Sequence, residues 1–249
     1  RVASRGLGDV YKRQLLDIWC GQNTISTLDV SQNTLLRTLY CNNNFLTNLD
    51  LSLNIQLESL FCNNNQLSFL DVSSNLYLLQ LRIQYNNISS LDVSQNILLQ
   101  RLYCYDNSLT SLDVSLNTQL EYLLCNDNQL IFLDIKNGHN SFMTGFVANS
   151  NPNLFCINVD DSTYSTNNWL NIDPQSYFSN YCPLIYGCTD QTATNYDLLA
   201  NIDDGSCTYL ALSLDPVADS LCLGDTVQIT WTGGNPNDTI EIFVVNNTL

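Results

Sequence analysis

LFCNNNQLSFLDVSSN, residues 60–75, is a phrase that the chain repeats, and the repeat decides the fold. Closely similar stretches are LYCNNNFLTNLDLSLN at 39–54, LYCYDNSLTSLDVSLN at 102–117 and LLCNDNQLIFLDIKNG at 123–138. A Leu-Asp pair inside the phrase recurs every 21 residues, and its leucines are Leu28, Leu49, Leu70, Leu91, Leu112 and Leu133. A fixed period of about 20 to 50 residues is typical of stacked repeat architectures.

One copy of the pattern reads Leu36-x-x-Leu39-x-Cys41-x-x-Asn44-x-Leu46-x-x-Leu49. It resembles the leucine-rich repeat, in which each copy forms one turn of a solenoid. The resemblance predicts a short strand around residues 39–41 that pairs in parallel with the strand of the next turn. We therefore expect a leucine-rich-repeat solenoid over residues 15–137, with a parallel β-sheet on its concave face and a short irregular or 3-10 convex side.

The repeated cysteine is interpreted as packing material. Side chains alternate along a strand, so Leu39 and Cys41 are expected to point inward and Tyr40 outward. The same position holds Ile83 in one turn, where only packing is available to it. Stacked parallel strands aim their Cβ atoms the same way, which opposes the disulfide torsion, and zinc requires clustered ligands. The predicted buried core thiols are Cys20, Cys41, Cys62, Cys104 and Cys125.

Two columns of asparagine are predicted to satisfy backbone groups at the turns, where water cannot reach. The first is Asn23, Asn44, Asn65, Asn86, Asn107 and Asn128, and the second is Asn33, Asn54, Asn75, Asn96 and Asn117. The aspartate after each repeated leucine is predicted to cap a turn. Hydrogen bonds to a charged group contribute about 1.5–3 kcal/mol, more than the ~0.8 kcal/mol by which neighbouring carboxylates about 5 Å apart repel in water.

Outward strand positions give the candidate binding site, an aromatic stripe on the concave face. It comprises Trp19, Tyr40, Phe61, Arg82, Arg101, Tyr103, Tyr105 and Tyr122. Aromatic and arginine side chains dominate binding hot spots, and a run of exposed apolar residues favours a protein or glycan partner. The alternative is structural, because aromatic residues suit strands and stack on their cross-strand neighbours.

Composition restricts the partners. The chain has 24 Asp and Glu against 8 Lys and Arg, a formal charge of −16, which disfavours nucleic acid and suits cations such as calcium. Residues 1–14, RVASRGLGDVYKRQ, hold four of the basic residues without a signal-peptide core, and we interpret them as a non-native, adapter-derived segment. No stretch has the ~18 apolar residues of a transmembrane helix.

Residues 138–182 interrupt the period and resemble the closing segment of secreted leucine-rich-repeat proteins of Bacteroidota. The resemblance implies a C-terminal cap of the solenoid in which Cys156 and Cys182 pair. A cap with a polar outer face is also what an open-ended solenoid requires.

Residues 183–210 contain GCTDQTATNYDLLANIDDGSC, which resembles a short module of surface and secreted proteins of the same bacteria. Cys188 and Cys207 can close a loop too small to have a core of its own. Asp190, Asp197, Asp203 and Asp204 are candidate calcium ligands. The alternative is that they are solvated turn residues, because their spacing is not that of an EF-hand loop.

Residues 211–249 alternate apolar and polar around a GGNPN turn and predict a hairpin. The hairpin resembles the start of an Ig-like β-sandwich, a fold that two strands cannot form alone. We therefore interpret this end as truncated and Cys222 as a thiol without its partner.

No catalytic constellation is present in the sequence, and the single histidine, His139, reads as a turn residue. We expect a non-enzymatic, extracellular or cell-surface binding and adhesion protein, a monomeric fragment of a larger chain. The family resemblance further implies type IX secretion. The alternatives are an accessory, substrate-binding region of a larger secreted hydrolase and a structural spacer.

Overall fold

The computed structural model describes residues 14–183, 185–197, 200 and 202–209. It divides into two compact units after Pro183. The predicted hairpin of the β-sandwich, Cys222 and all but the last residue of the predicted non-native segment lie outside the described residues.

In the part of the chain that the structure describes, thirteen short strands form the fold. In chain order they are β1 (Asp17–Trp19), β2 (Thr38–Tyr40), β3 (Ser59–Phe61), β4 (Gln80–Arg82), β5 (Arg101–Tyr103), β6 (Ser111–Asp113), β7 (Tyr122–Leu124), β8 (Phe132–Asp134), β9 (Gly145–Val147), β10 (Cys156–Asn158), β11 (Tyr177–Ser179), β12 (Tyr186–Gly187) and β13 (Ile202–Asp203).

The first sheet stacks one strand per turn, in the order β1-β2-β3-β4-β5-β7-β9. All neighbours are parallel, and equivalent residues of successive repeats are paired, such as Leu39 with Leu60 and Tyr40 with Phe61. This register places leucine above leucine inside and ring above ring outside. The prediction of a leucine-rich-repeat solenoid is confirmed.

A second parallel sheet, in the order β11-β10-β8-β6, lies in the later turns. The repeat pattern did not predict this second sheet. In the earlier turns the equivalent Leu-Asp segments at 28–29, 49–50, 70–71 and 91–92 are indeed irregular. The segment after the repeats supplies the additional strand β10, whose Ile157 pairs with Leu133 of β8, and so extends sheet structure where the repeat pattern alone does not specify it.

Residues 138–182 continue the solenoid as well as closing it. The backbone N–H of Leu130 donates to Asn151 Oδ1 across 21 residues, whereas the equivalent bond in regular turns spans 19. A 3-10 helix, Asn140–Phe142, lies in this longer turn. Helix α1 (Ser162–Asn168) follows, with Asp161 Oδ1 accepting from Tyr164 N (3.0 Å) as its N-cap.

The end of the core is covered by aromatic side chains. Trp169 is buried, with its ring 4.7 Å from that of Phe146 and 5.7 Å from that of Phe178. Cys156 of β10 and Cys182 form a disulfide with Cα atoms 5.8 Å apart. These contacts replace the neighbouring turn that each earlier repeat has.

The cysteine column lies inside the solenoid. Cys41, Cys62, Cys104 and Cys125 are buried and free. Burial raises the pKa of the Cys62 and Cys104 thiols to about 12. Cys20 differs from the prediction because it is only half-buried. It follows β1, which among the described residues has a paired strand on one side alone.

Asparagine side chains join each turn to the one before. Asn44 Nδ2 donates to the carbonyls of Cys41 and Cys20 (both 3.0 Å), and its Oδ1 accepts from Ile25 N (3.0 Å). In the second column, Asn54 Nδ2 donates to the carbonyls of Val30 (3.0 Å) and Asn33 (2.8 Å). Because these groups are buried, removal of one amide leaves several backbone groups unpaired.

The aspartates after the repeated leucines cap turns. Asp50 Oδ1 accepts from the backbone N–H of Ser52 (2.9 Å), and the same bond recurs from turn to turn. Hydrogen bonding by the following serine lowers the pKa of Asp29, Asp50, Asp71 and Asp92. These bonds favour the charged carboxylate in the turn without any metal ion.

Candidate binding surface

We call the outward-pointing side chains of β1 to β5 and β7, together with the residue two positions after each of these strands, the sheet face. The alternation that buries the strand leucines turns every second side chain outward. The predicted site residues are all in this surface: Trp19, Tyr40, Phe61, Arg82, Arg101, Tyr103, Tyr105 and Tyr122.

Five of these side chains form one continuous series, which we call the aromatic stack: Trp19, Tyr40, Phe61, Arg82 and Tyr103. The Trp19 and Tyr40 rings are 4.0 Å apart, and the Tyr40 and Phe61 rings are 4.1 Å apart. The Arg82 guanidinium carbon is 5.2 Å from the Phe61 ring centroid and 4.5 Å from that of Tyr103. The in-register pairing of strands produces this spacing, because stacked strands lie about 4.8 Å apart.

Stacking determines which atoms a partner can reach. Phe61 was predicted to belong to an exposed run of side chains, but it is only 9% exposed. Its two faces are covered by the Tyr40 ring and the Arg82 guanidinium. Trp19, at the end of the aromatic stack, is 72% exposed. Among the described residues, the accessible part of the aromatic stack is therefore one face of Trp19 together with ring edges and polar tips.

The two arginines are held in place. With the Gln80 amide oxygen directed at Arg82, it accepts from Nε (2.9 Å) and Nη2 (3.0 Å). Arg101 Nη2 lies 3.7 Å from Glu121 Oε2, and its guanidinium carbon is 5.5 Å from the Tyr122 ring. Both side chains are half-buried, so each loses less freedom on binding than a free surface arginine.

Tyr85 is a candidate contact residue that the sequence prediction did not include. Its backbone φ is 59°, in the left-handed region that a bulky side chain rarely adopts. Its ring packs edge-on against Tyr105 at 5.3 Å, and the Asp106 carboxylate raises its pKa. The equivalent positions of the other repeats are Gln22, Asn43, Asn64, Asp106 and Asp127. A tyrosine in this column of small polar residues is the signal that could have identified it.

The predicted calcium ligands make hydrogen bonds within their own loop. Asp190 accepts from Thr192 N (2.8 Å) and from the Tyr209 hydroxyl (2.6 Å), and Asp204 accepts from Ser206 N (2.9 Å). These bonds lower the pKa of both aspartates. Asp197 N donates to the carbonyl of Cys188, which is bonded to Cys207, and Asp203 lies in β13. In the part of the chain that the structure describes, no three His, Cys, Asp or Glu gather as a metal site.

Two further features bear on function. His139 is exposed at the turn before the 3-10 helix, with its ring 5.3 Å from Phe142. Among the described residues, no helix combines the length and apolar character that a membrane span requires.

Neither a protein-family model nor a curated protein sequence matches the chain. Among solved structures, it is similar to the functional domain of InlJ from Listeria monocytogenes, described as including a cysteine ladder. The identity is 30% and the TM-score 0.54, over 67% of this chain and 39% of that one.

Two other structures are more distant. An internalin, InlF of Listeria monocytogenes, shows 18% identity and a TM-score of 0.47, over 69% of this chain and 49% of that one. A leucine-rich-repeat protein of Leptospira interrogans shows 16% identity and a TM-score of 0.47, over 69% and 50%. The chain thus spans half or less of the length of each of these three proteins.

Proposed function

We propose that this chain is a non-catalytic binding module that holds a macromolecular partner on its sheet face. The observation that supports this most is the aromatic stack, which crosses five strands and places tryptophan, tyrosine, phenylalanine and arginine side chains on one surface. Tryptophan, tyrosine and arginine are the residues that carry most binding energy at interfaces. Stacking restrains each ring before a partner arrives, which reduces the entropy that binding costs.

Tyr85 supports a binding role over a purely structural one. An asparagine at this position, as in the repeats with Asn43 and Asn64, adopts the left-handed conformation with less strain. Strained residues are concentrated at sites where ligands bind. The Tyr85 and Tyr105 rings extend the aromatic surface at the edge of the sheet face.

A protein partner is favoured over a polysaccharide. Sugar rings stack on open aromatic faces, and in the aromatic stack the faces of Tyr40 and Phe61 are already covered. The remaining groups are ring edges, hydroxyls and guanidinium N–H groups, which suit the carbonyl and carboxylate oxygens of a protein surface. A polysaccharide seated on Trp19 is the other outcome of the test.

An extracellular or cell-surface location is part of the proposal. The disulfides Cys156–Cys182 and Cys188–Cys207 suit an oxidising compartment. The buried thiols of the cysteine column are protected there, because a thiol with a raised pKa is a poor nucleophile.

The test is retention on protein and glycan arrays by the whole chain and by a Trp19→Ala, Tyr85→Asn variant. Loss of two hot-spot side chains should weaken binding by roughly tenfold or more. The matched control is Phe45→Ala, which removes a 51% exposed ring outside the sheet face. The proposal fails if the double variant binds as strongly as the parent. It also fails if the control variant loses as much binding as the double variant does.

A further inference from the structure

A second surface of the solenoid exposes large apolar side chains in line. We call it the lateral stripe, and it consists of Leu53, Ile55, Leu76, Tyr77, Ile97 and Leu116, each 51–56% exposed. They occupy the turns between a Leu-Ser or Val-Ser pair and the next inward leucine. A continuous apolar surface of this kind is more than the scattered apolar residues expected on a soluble monomer.

The buried asparagines fix the position of the lateral stripe. Asn54, Asn75, Asn96 and Asn117 are fully buried and donate to carbonyls of the preceding turn. The side chains directly before and after each of them are consequently directed outward. Ile55, Leu76 and Ile97 occupy the same position of three successive turns, so they lie side by side along the solenoid.

The apolar surface continues beyond the lateral stripe. At one end a groove of about 630 Å³ is lined in part by Leu16, Leu35, Leu53 and Ile55. Leu16 and Leu35 are themselves 49% and 48% exposed. The exposed apolar surface therefore extends over the turns from Leu35 to Leu116.

Charge is absent from the lateral stripe itself although the chain is strongly acidic, and Arg37 lines the groove at its end. The positions one before, one after and two after the second asparagine column contain no Asp, Glu, Lys or Arg in any of the five turns. Charged residues border it instead. The capping aspartates Asp50 and Asp71 precede it in each turn, and the Arg37–Glu58 ion pair (3.2 Å) follows it.

We infer that the lateral stripe is a self-association surface, on which a second copy of this chain packs. Two molecules of formal charge −16 repel each other wherever their carboxylates meet. The lateral stripe brings uncharged side chains of one copy against the same uncharged side chains of the other, as an isologous contact requires. Apolar burial then drives association, at about 25 cal/mol per Å². This differs from the monomer expected from the sequence and does not depend on the proposed function of the sheet face.

The experiment is sedimentation velocity of the whole chain carrying Cys222→Ser, so that this thiol cannot cross-link two copies. Protein is compared over roughly 5 to 300 µM, because self-association follows mass action. The weight-average mass should rise from 28.0 kDa towards twice that value. Raising NaCl from about 0.05 to 0.5 M should strengthen association, since salt screens the repulsion between the copies.

Leu76→Asp places a carboxylate at the centre of the lateral stripe and should raise the dimer dissociation constant at least tenfold. The matched control Phe45→Asp places the same charge at an equally exposed apolar residue elsewhere and should leave association unchanged. Unaltered circular dichroism of both variants shows that they fold. A chain that stays monomeric at the highest concentration and salt, association that salt weakens, or equal loss in the control each overturns the proposal.

Discussion

Tyr40 lies face to face with Phe61, with ring centroids 4.1 Å apart and ring planes 7° from parallel. The two residues are register partners in neighbouring strands, so the backbone pairing itself sets the ring separation. Arg82 covers the other face of Phe61 in the same way. The Phe61 ring is therefore part of the packed structure, whereas Trp19 remains exposed to a partner.

Phe61→Ala should destabilise the solenoid although Phe61 points away from the core. It removes a buried ring, one aromatic pair and one cation–π contact, a loss of about 2–4 kcal/mol. Urea unfolding followed by circular dichroism measures it. Phe45→Ala, which removes an exposed ring, should change the free energy of unfolding by less than about 0.5 kcal/mol. Equal effects of the two changes would contradict this assignment.

Tyr85→Asn should stabilise the chain by about 0.5–1 kcal/mol, because asparagine tolerates the left-handed backbone that tyrosine strains to adopt. The reciprocal change, Asn64→Tyr, should destabilise the neighbouring turn by a similar amount. Thermal unfolding of both variants checks the pair. A loss of stability in Tyr85→Asn would show that the contact with Tyr105 outweighs the backbone strain.

The buried thiols predict a decline of stability at alkaline pH. Burial raises the pKa of these thiols in the folded state above their value in the unfolded chain, which is near 8.5. Their contribution to stability is therefore fully present below about pH 8.5 and is lost as the pH rises towards the pKa of the folded state. The limiting slope is about 1.4 kcal/mol per pH unit for each thiol. Cys62→Val should reduce the slope, because Ile83 already fills the equivalent position with an apolar side chain. Unfolding free energies between about pH 8 and 10 measure it, and an unchanged slope would contradict it.

Because of the capping aspartates, we expect the folded chain to lose stability at acid pH. Their folded pKa is lowered, so their contribution is present above the unfolded pKa, near 3.9, and is lost as pH falls through the folded value. Asp50→Asn keeps an acceptor oxygen for Ser52 N but removes the charge. The melting temperature of this variant should depend less on pH below about 5 than that of the parent. Parallel curves for the two proteins would contradict the role of this carboxylate.

Repetition made much of the fold predictable. Because Leu39, Cys41 and Asn44 recur with one period, their common environment could be deduced without coordinates, and Ile83 identified the cysteine column as packing. Cys20 was predicted with the same rule and differs because burial depends on a neighbour on both sides. The second sheet was not predictable from the repeat alone, since two of its four strands, β10 and β11, come from the non-repeating segment and the Leu-Asp segments of the earlier turns form no strand.

The sequence predicted which residues lie in the sheet face, but not how their side chains pack against one another. Alternation alone assigned Trp19, Tyr40 and Phe61 to one surface, but it could not indicate that the rings cover one another. Tyr85 was missed because the prediction followed strand positions, and its unusual feature is a backbone conformation in the turn. The lateral stripe was missed for a similar reason, because its residues lie in loops between the columns that defined the repeat.

The asparagine columns have a further consequence. Among the described residues, each amide of the two columns bonds its own turn, the adjacent one or both, and none bonds a turn further away. Deletion of one 21-residue repeat between Trp19 and Arg82 would join equivalent positions of two turns, so each buried amide would keep its hydrogen-bond partners. It would also bring Trp19 one turn closer to Arg82 on the sheet face. Length and recognition can consequently change by duplication or loss of whole modules without any redesign of the interior.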